Sequence, residues 1–264
     1  MVEGRGSNCE EGTTSIGAKA ASILKGMPGR AFNARVKDIR YLAADVLQIR
    51  FEPDRKLRYT AGQFLSVVVP TSEKPVKRLY SFANDERAGS REGFEICAKI
   101  LATGLGSNFL TSLKSGDSFK AFGPYGDFVY HPSSQASSQA SSQGRPVCFV
   151  CTGTGVAPVR AMIQSAEFSQ FAPSTSICLA GYRSEKEVLY AEEFRALGVK
   201  TEVALSQSLC RVTDLVGKNP DFPWVDADYY LCGNPQMIQE VRQILTTRLG
   251  VPRIRIFAES FGGK

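Results

Sequence analysis

The residues best suited to chemistry lie in five short stretches. In "KRLYSFAN", Arg78 offers a planar fork of donors that matches phosphate oxygens. Tyr80 offers a ring that can lie flat against a large aromatic ligand, and Ser81 a hydroxyl that can bond a ring nitrogen. Strand alternation places Arg78 and Tyr80 on one face, with Leu79 between them and Ser81 turned to the other face or the backbone edge. In "ATGLGSNFL", Gly104 and Gly106 let a ligand approach the backbone. Ser107 with Asn108 is expected to begin a helix, whose first amides would attract phosphate. "GPYGDF", Gly123 to Phe128, is by itself a turn. In "VCFVCTGTGVAPVRAM", Gly153-Thr154-Gly155 follows an apolar run and precedes a helix-like segment. Backbone amides there would face outward at a strand's carboxyl end, where open α/β sheets bind ligands. Pro158 suits the first helical turn. In "LCGNPQMI", Cys232 ends a strand, Gly233 permits the turn and Asn234-Pro235 leads into a helix. Singly, each stretch also reads as ordinary structure: a half-buried strand, an N-cap, a turn, a buried thiol.

Other chemistries are poorly supplied. The single histidine, His131, stands beside a polar repeat and reads as solvated loop, which removes most Ser/His and Cys/His hydrolase schemes. The 7 cysteines are an odd number and lie mostly in apolar segments, as reduced thiols would. Cys148-x-x-Cys151 falls in an expected strand, where residues three apart face opposite ways. No second pair or nearby histidine completes a metal site, and plant-type iron–sulfur spacing is absent, so no metal is expected. The net charge is +6, with 16 Lys and Arg against 11 Asp and Glu over residues 30–132, so the excess sits in the first half. No basic run is interleaved with aromatics, which speaks against nucleic acid; a diffuse basic face could steer an acidic protein partner instead. No apolar run approaches the roughly 20 residues that span a bilayer, and the first residues lack the apolar centre of a secretory signal. A soluble monomer of the cytoplasm, or of an organellar stroma or matrix, is the expectation.

These stretches need elements to hold them, and the chain has two grammars. From Arg30 to His131, short alternating segments such as "FNARVKDIRYL", "GQFLSVVVP" and "GFEICAKI" are punctuated by Gly, Pro and Asp, which predicts an antiparallel β-barrel. From Pro146 onward, strand-like "PVCFVCTG", "TSICLAGY", "KTEVALS", "DYYLCG" and "RIRIFAE" alternate with helix-like "VRAMIQSAEF", "EVLYAEEFRAL" and "PQMIQEVRQILTTRL". That predicts a parallel sheet flanked by helices. The expected division is a loose leader over 1–29, a barrel domain over 30–132, a Ser/Gln-rich linker over 133–144 and an α/β nucleotide-binding domain over 145–264.

In this order, RLYS, GLGSNFL, GPYGDF, GTGVAP and CGNPQMI make the chain resemble the ferredoxin–NADP reductase superfamily of flavoproteins over about residues 30–261. "AESF" is similar to the family's terminal acidic-x-aromatic strand, though three residues follow it here, Gly262-Gly263-Lys264. The resemblance implies an FAD-binding barrel followed by an NAD(P)-binding α/β domain. Arg78 would bind the FAD pyrophosphate, Tyr80 would stack on the isoalloxazine and Ser81 would bond near flavin N5. Leu79, Cys97, Lys99 and the run Gly104, Leu105, Gly106 and Ser107 would line the rest of that site. Thr154 and Gly155 would seat the nicotinamide dinucleotide, with Cys232 and Gly233 beside the nicotinamide. Glu259 would form the polar wall, and Phe261 would shield the flavin. Ser206 and Arg211, with Arg183 assisting, resemble the 2′-phosphate region and favour NADPH over NADH. Gln207 stands where NADP-preferring relatives often carry Arg, but no Asp is present to select a free ribose. The implied activity is hydride exchange between NADP(H) and FAD and single-electron exchange with ferredoxin or flavodoxin. The alternatives are an NADH-dependent reductase for an oxygenase or cytochrome b5-type haem protein, and a flavin relay subunit that never meets free nicotinamide. The last would need neither GTGVAP nor CGNPQMI.

Overall fold

The computed structural model describes residues 30–132, 144–172 and 175–261. The expected leader, the Ser/Gln repeat at 133–143 and Gly262 to Lys264 lie outside the described residues.

Six strands build the first half: β1 (Arg30–Ala43), β2 (Val46–Pro53), β3 (Phe64–Val69), β4 (Val76–Ser81), β5 (Phe94–Lys99) and β6 (Ser118–Tyr125). All their pairings are antiparallel, in the order β4-β3-β6-β1-β2-β5. Alternation decides which side chains turn inward: along β6, Phe119, Ala121 and Tyr125 are buried while Ser118 and Lys120 are exposed. The inward set includes Phe32, Ile49, Phe51, Leu65, Val67 and Phe119, which pack as one core. The two edge strands, β4 and β5, share no ladder. They meet at a single bridge between Phe82 and Ile96, next to a hydrogen bond from the Ala83 amide to the Glu95 carbonyl at 2.8 Å. Two helices belong to this half. The first, α1 (Glu86–Glu92), starts from Asp85, whose carboxylate accepts from the Ala88 amide at 2.9 Å. The second, α2 (Leu105–Ser112), begins at Gly104 rather than at Ser107. The Ser107 hydroxyl is committed to the Leu101 amide at 2.9 Å, so it is a tie to the preceding loop and not a cap.

The second half is a parallel sheet of β7 (Val147–Thr152), β8 (Ile177–Tyr182), β9 (Lys200–Leu205), β10 (Asp228–Gly233) and β11 (Ile256–Ser260), ordered β11-β10-β7-β8-β9. Strands β8 and β10 are buried along their whole length, as expected where helices cover both faces. Cys148 packs into one face of the sheet and Cys151 into the other, which is the alternation expected of a strand.

The helices are α3 (Val156–Gln164), α4 (Ala166–Phe171), α5 (Ala191–Ala196), α6 (Val212–Leu215) and α7 (Pro235–Gln243), the last continued by a π turn over Ile244–Arg248. Two expected helices come out shorter. "VRAMIQSAEF" divides at Ser165, whose amide bonds the Met162 carbonyl at 3.0 Å and whose hydroxyl caps α4 by accepting from Phe168 at 3.1 Å. "EVLYAEEFRAL" turns helical only after Tyr190, which holds a left-handed φ of 58°.

One apolar cluster runs across the seam between the halves, joining Val46, Ala83, Cys97 and Phe128 to Met162 and Tyr230. Packing there is close. A Cβ on Gly62 would stand 2.1 Å from the Phe128 carbonyl oxygen and 2.5 Å from Met162 Cε.

Candidate active site at the junction of the two sheets

The gap between β4 and β5 organises the first part of the site. Past the Phe82–Ile96 bridge no ladder continues, and the first turn of α2 joins the two edges instead. Ser107 holds Leu101, just beyond β5, while Gly106 lies against β4. A Cβ on Gly106 would come within 2.7 Å of Tyr80 Oη and 3.0 Å of Arg78 Cγ. The register places Arg78 opposite Val67 and Tyr80 opposite Leu65, on one face, and Ser81 opposite Phe64 on the other; Arg78 is exposed, Tyr80 half-buried and Ser81 buried. Burial pushes the Tyr80 phenol up to about 12, against the opposing pull of Arg78, so the ring stays neutral. Arg78 donates to the Lys77 carbonyl at 2.9 Å and makes no ion pair among the described residues.

Cys97 and Lys99 are placed differently. The Cys97 thiol is buried against Tyr190, and burial pushes it up to about 12. Lys99 pairs with Asp45 and, at 3.8 Å, with Glu187. Both side chains therefore face the second half, and the backbone of β5 is what borders the gap.

The second part lies at the carboxyl ends of β7 and β10. Gly153 to Gly155 form a tight 3₁₀ turn leading into α3. Gly153 has φ 52°, and nothing stands within 4 Å of a Cβ built there, so this position opens outward. Gly155 is the reverse: its Cβ would meet the Cys232 carbonyl oxygen at 2.4 Å. It packs the turn onto β10. Thr152, which nothing in the sequence singles out, completes the join: its Oγ1 accepts from the amide of Asn234, the residue that starts the next helix, at 2.9 Å. Farther out, the Gln207 amide bonds the Arg183 carbonyl at 3.0 Å, which brings the exposed Arg183 and Ser206 segments together. Arg211 forms an ion pair with Glu240 at 2.8 Å.

The two parts meet at Ser81 and Glu259. Glu259 is the register partner of Cys232 on the neighbouring strand, and its Oε2 accepts from Ser81 Oγ at 3.5 Å, the outer limit of a hydrogen bond. Burial pushes the Glu259 carboxyl up to about 7, and the Ser81 hydroxyl pulls it back the other way. Cys232 is fully buried. Burial, then the charge of Glu259, raises its thiol well above its ordinary value, so it is a neutral wall and not a thiolate. Phe261 follows on, its amide bonded to the Gly233 carbonyl at 2.8 Å.

The family model described as "Oxidoreductase FAD-binding domain" matches residues 33–130, and the one described as "Oxidoreductase NAD-binding domain" matches 149–243. The chain is 30% identical to "Ferredoxin--NADP reductase B" of Sorangium cellulosum over 255 residues, covering 87% of this chain and 97% of that protein. It belongs to the ferredoxin–NADP reductase superfamily. It is thus an FAD- and NAD(P)-binding electron-transfer oxidoreductase. The reductase is also 26% identical to the "Toluate 1,2-dioxygenase electron transfer component" of Pseudomonas putida, over 93% of this chain and 72% of the relative. Among solved structures, a ferredoxin NADP+ reductase from Neisseria gonorrhoeae with bound FAD and NADP shares the fold (TM-score 0.72, 17% identity, covering 87% of this chain and 98% of that one).

The residues present fit both groups. The open β4–β5 gap with Arg78, Tyr80 and the close-packed Gly106 suits FAD, and the outward Gly153 turn at a helix start suits a nucleotide pyrophosphate.

Proposed function

We propose that the reductase passes reducing equivalents from NADPH to FAD and on, one electron at a time, to a small protein carrier, ferredoxin or flavodoxin. In this reading residues 30–132 form the flavin half and 145–264 the nucleotide half. The observation that supports it is the Ser81–Glu259 hydrogen bond, which joins a barrel strand to the parallel sheet.

Bound FAD supplies the conversion between a two-electron donor and one-electron carriers. Arg78 would hold its pyrophosphate and Tyr80 would lie against its ring. Thr154 and Gly155, with the open Gly153 beside them, seat the nucleotide. Cys232 and Phe261 keep water from the reacting face. Ser81 Oγ donates to Glu259, whose carboxyl, pushed up to about 7, would take up or return a proton at Oε2. Phe261 moves aside for the nicotinamide.

The preference for NADPH is supported by the adjacent Arg183 and Ser206 segments, with no acidic residue at Gln207; Arg211 would join them by exchanging Glu240 for the 2′-phosphate. A protein carrier is supported by the Sorangium relative, which this chain matches over nearly its whole length. The second reading, a reductase for an oxygenase, is supported by the toluate dioxygenase component. Rapid mixing with NADPH and NADH, then with isolated carriers at increasing salt, tests the proposal. NADPH should give the higher kcat/KM, and ferredoxin turnover should fall as salt screens the basic first half. A strong NADH preference with salt-independent turnover favours the second reading.

A further inference from the structure

The seam between the halves contains a buried ionic network that neither ligand seat explains. Its centre is Arg160, on α3 one turn beyond the nucleotide seat. Arg160 Nη1 donates to the Ala83 carbonyl and to Glu95 Oε2, both at 2.7 Å, reaching across to the barrel. Its Nε donates to both carboxylate oxygens of Glu193 at 2.8 and 2.9 Å, on its own side of the seam. The guanidinium also lies over the Tyr190 ring, 4.5 Å from the centroid. Glu95 has further partners in Arg50, at 2.7 Å, and Gln48, at 2.5 Å. Side chains of Arg160 and Glu95 are only 11% and 4% exposed.

Such a network is a poor way to gain stability. Burying ions costs desolvation, and an apolar seam of the same volume would hold at least as well. What ions and their directional hydrogen bonds add is a fixed register. The strand-end residue Ala83, held on one side by Glu95 through its amide and on the other by Arg160 through its carbonyl, follows Ser81 closely in sequence. At the start of the same helix, about one turn before Arg160, Gly155 rests on the Cys232 carbonyl. Arg160 therefore connects the segment carrying Ser81 to the turn that seats the nucleotide. The Ser81–Glu259 hydrogen bond, at 3.5 Å, has no slack for misregister.

We propose that Arg160, clamped by Glu95 and Glu193, is a positioning residue that sets the nucleotide seat against the flavin edge. It touches neither ligand and acts through the Ala83 backbone. The proposal rests on the reading that NADPH reduces the bound flavin.

The test uses FAD-loaded protein carrying Arg160→Met, in which Glu95 keeps Arg50 and Gln48 and Glu193 keeps Gln164 at 2.7 Å. Four readouts are needed: flavin content, the Kd for NADP+ by difference spectroscopy, the limiting rate of flavin reduction by NADPH, and hydrogen exchange of the Ala83 amide. The expected result is normal flavin content, a Kd within about threefold of wild type and a reduction rate lower by about tenfold or more, since small misplacements cost rate steeply. Ala83 exchange should quicken. Arg160→Lys, which keeps the charge without the fork, should fall between the two. Wild-type reduction in Arg160→Met, or a rate loss that only follows lost flavin, overturns the proposal. If Arg160→Met does not fold, Glu95→Gln carries the same test, and an unchanged rate and unchanged Ala83 exchange overturn it. Wild-type protein that neither nucleotide reduces would refute the functional reading instead, and Ala83 exchange in the variant would still judge the clamp.

Discussion

Glu259 combines a carboxyl pushed up to about 7 by burial with one weak hydrogen-bond donor, Ser81. Its ordinary value is near 4.5, so between about pH 4.5 and 7 the folded protein holds a proton that the unfolded chain has released. Stability from this group is complete below that window and is lost as pH rises through it, on the order of 3 kcal/mol. Glu259→Gln removes the titration. Thermal unfolding at pH 5 to 8 should show wild type losing ground to the variant as pH rises; parallel curves would mean that the carboxyl is not raised. Much at this scale was legible in the sequence. The alternation of Arg78, Tyr80 and Ser81 follows from strand geometry, and so do the opposite faces of Cys148 and Cys151. Arg160 was not legible, because a lone arginine on an apolar helix gains meaning only when Glu95 and Ala83, distant in sequence, are folded against it.

At the scale of elements, the turn between β7 and α3 divides its labour between two glycines that look alike in the sequence. Gly153→Ala places a methyl in open space at a backbone angle costing about 1 kcal/mol. It should lower NADP+ affinity more than stability. Gly155→Ala drives a Cβ into the Cys232 backbone, and β10 or the turn must shift. It should cost about 1–3 kcal/mol of stability, read as a lower denaturant midpoint. Equal effects of the two would contradict this division. The spacing of GTGVAP disclosed the turn but not the division, since only the neighbouring strand distinguishes a packed glycine from an open one. Helix limits were obscured for a related reason. Ser165 and Tyr190 interrupt apolar patterns that run on through them, and the interruption comes from a cap and from a left-handed residue at the seam. The short α1 was missed although Asp85 was a legible cap, because seven polar and small residues carry no helical stripe.

At the scale of the whole molecule, the change of grammar from alternating strands to strand–helix repeats made the two sheets legible, and the order of motifs made the family legible. The seam was not, because it is built from residues that each half would otherwise bury or solvate separately. One feature of the barrel reaches beyond catalysis. Its two outer strands meet at a single bridge, and beyond it the first turn of the helix that starts at Leu105 joins their edges. Edges that pair with so little of each other are, when uncovered, the arrangement through which sheets template one another into aggregates. FAD bound against these edges would act as a chaperone for its own protein. Each tenfold excess of free FAD over its Kd should add about 1.4 kcal/mol to folding, so the melting temperature should climb with FAD without a plateau and turbidity on heating should fall in step. A melting temperature indifferent to FAD would show that the edges need no ligand to hold them. If the climb is seen, the amount of intact reductase in a cell would follow the supply of flavin before it followed the demand for electrons.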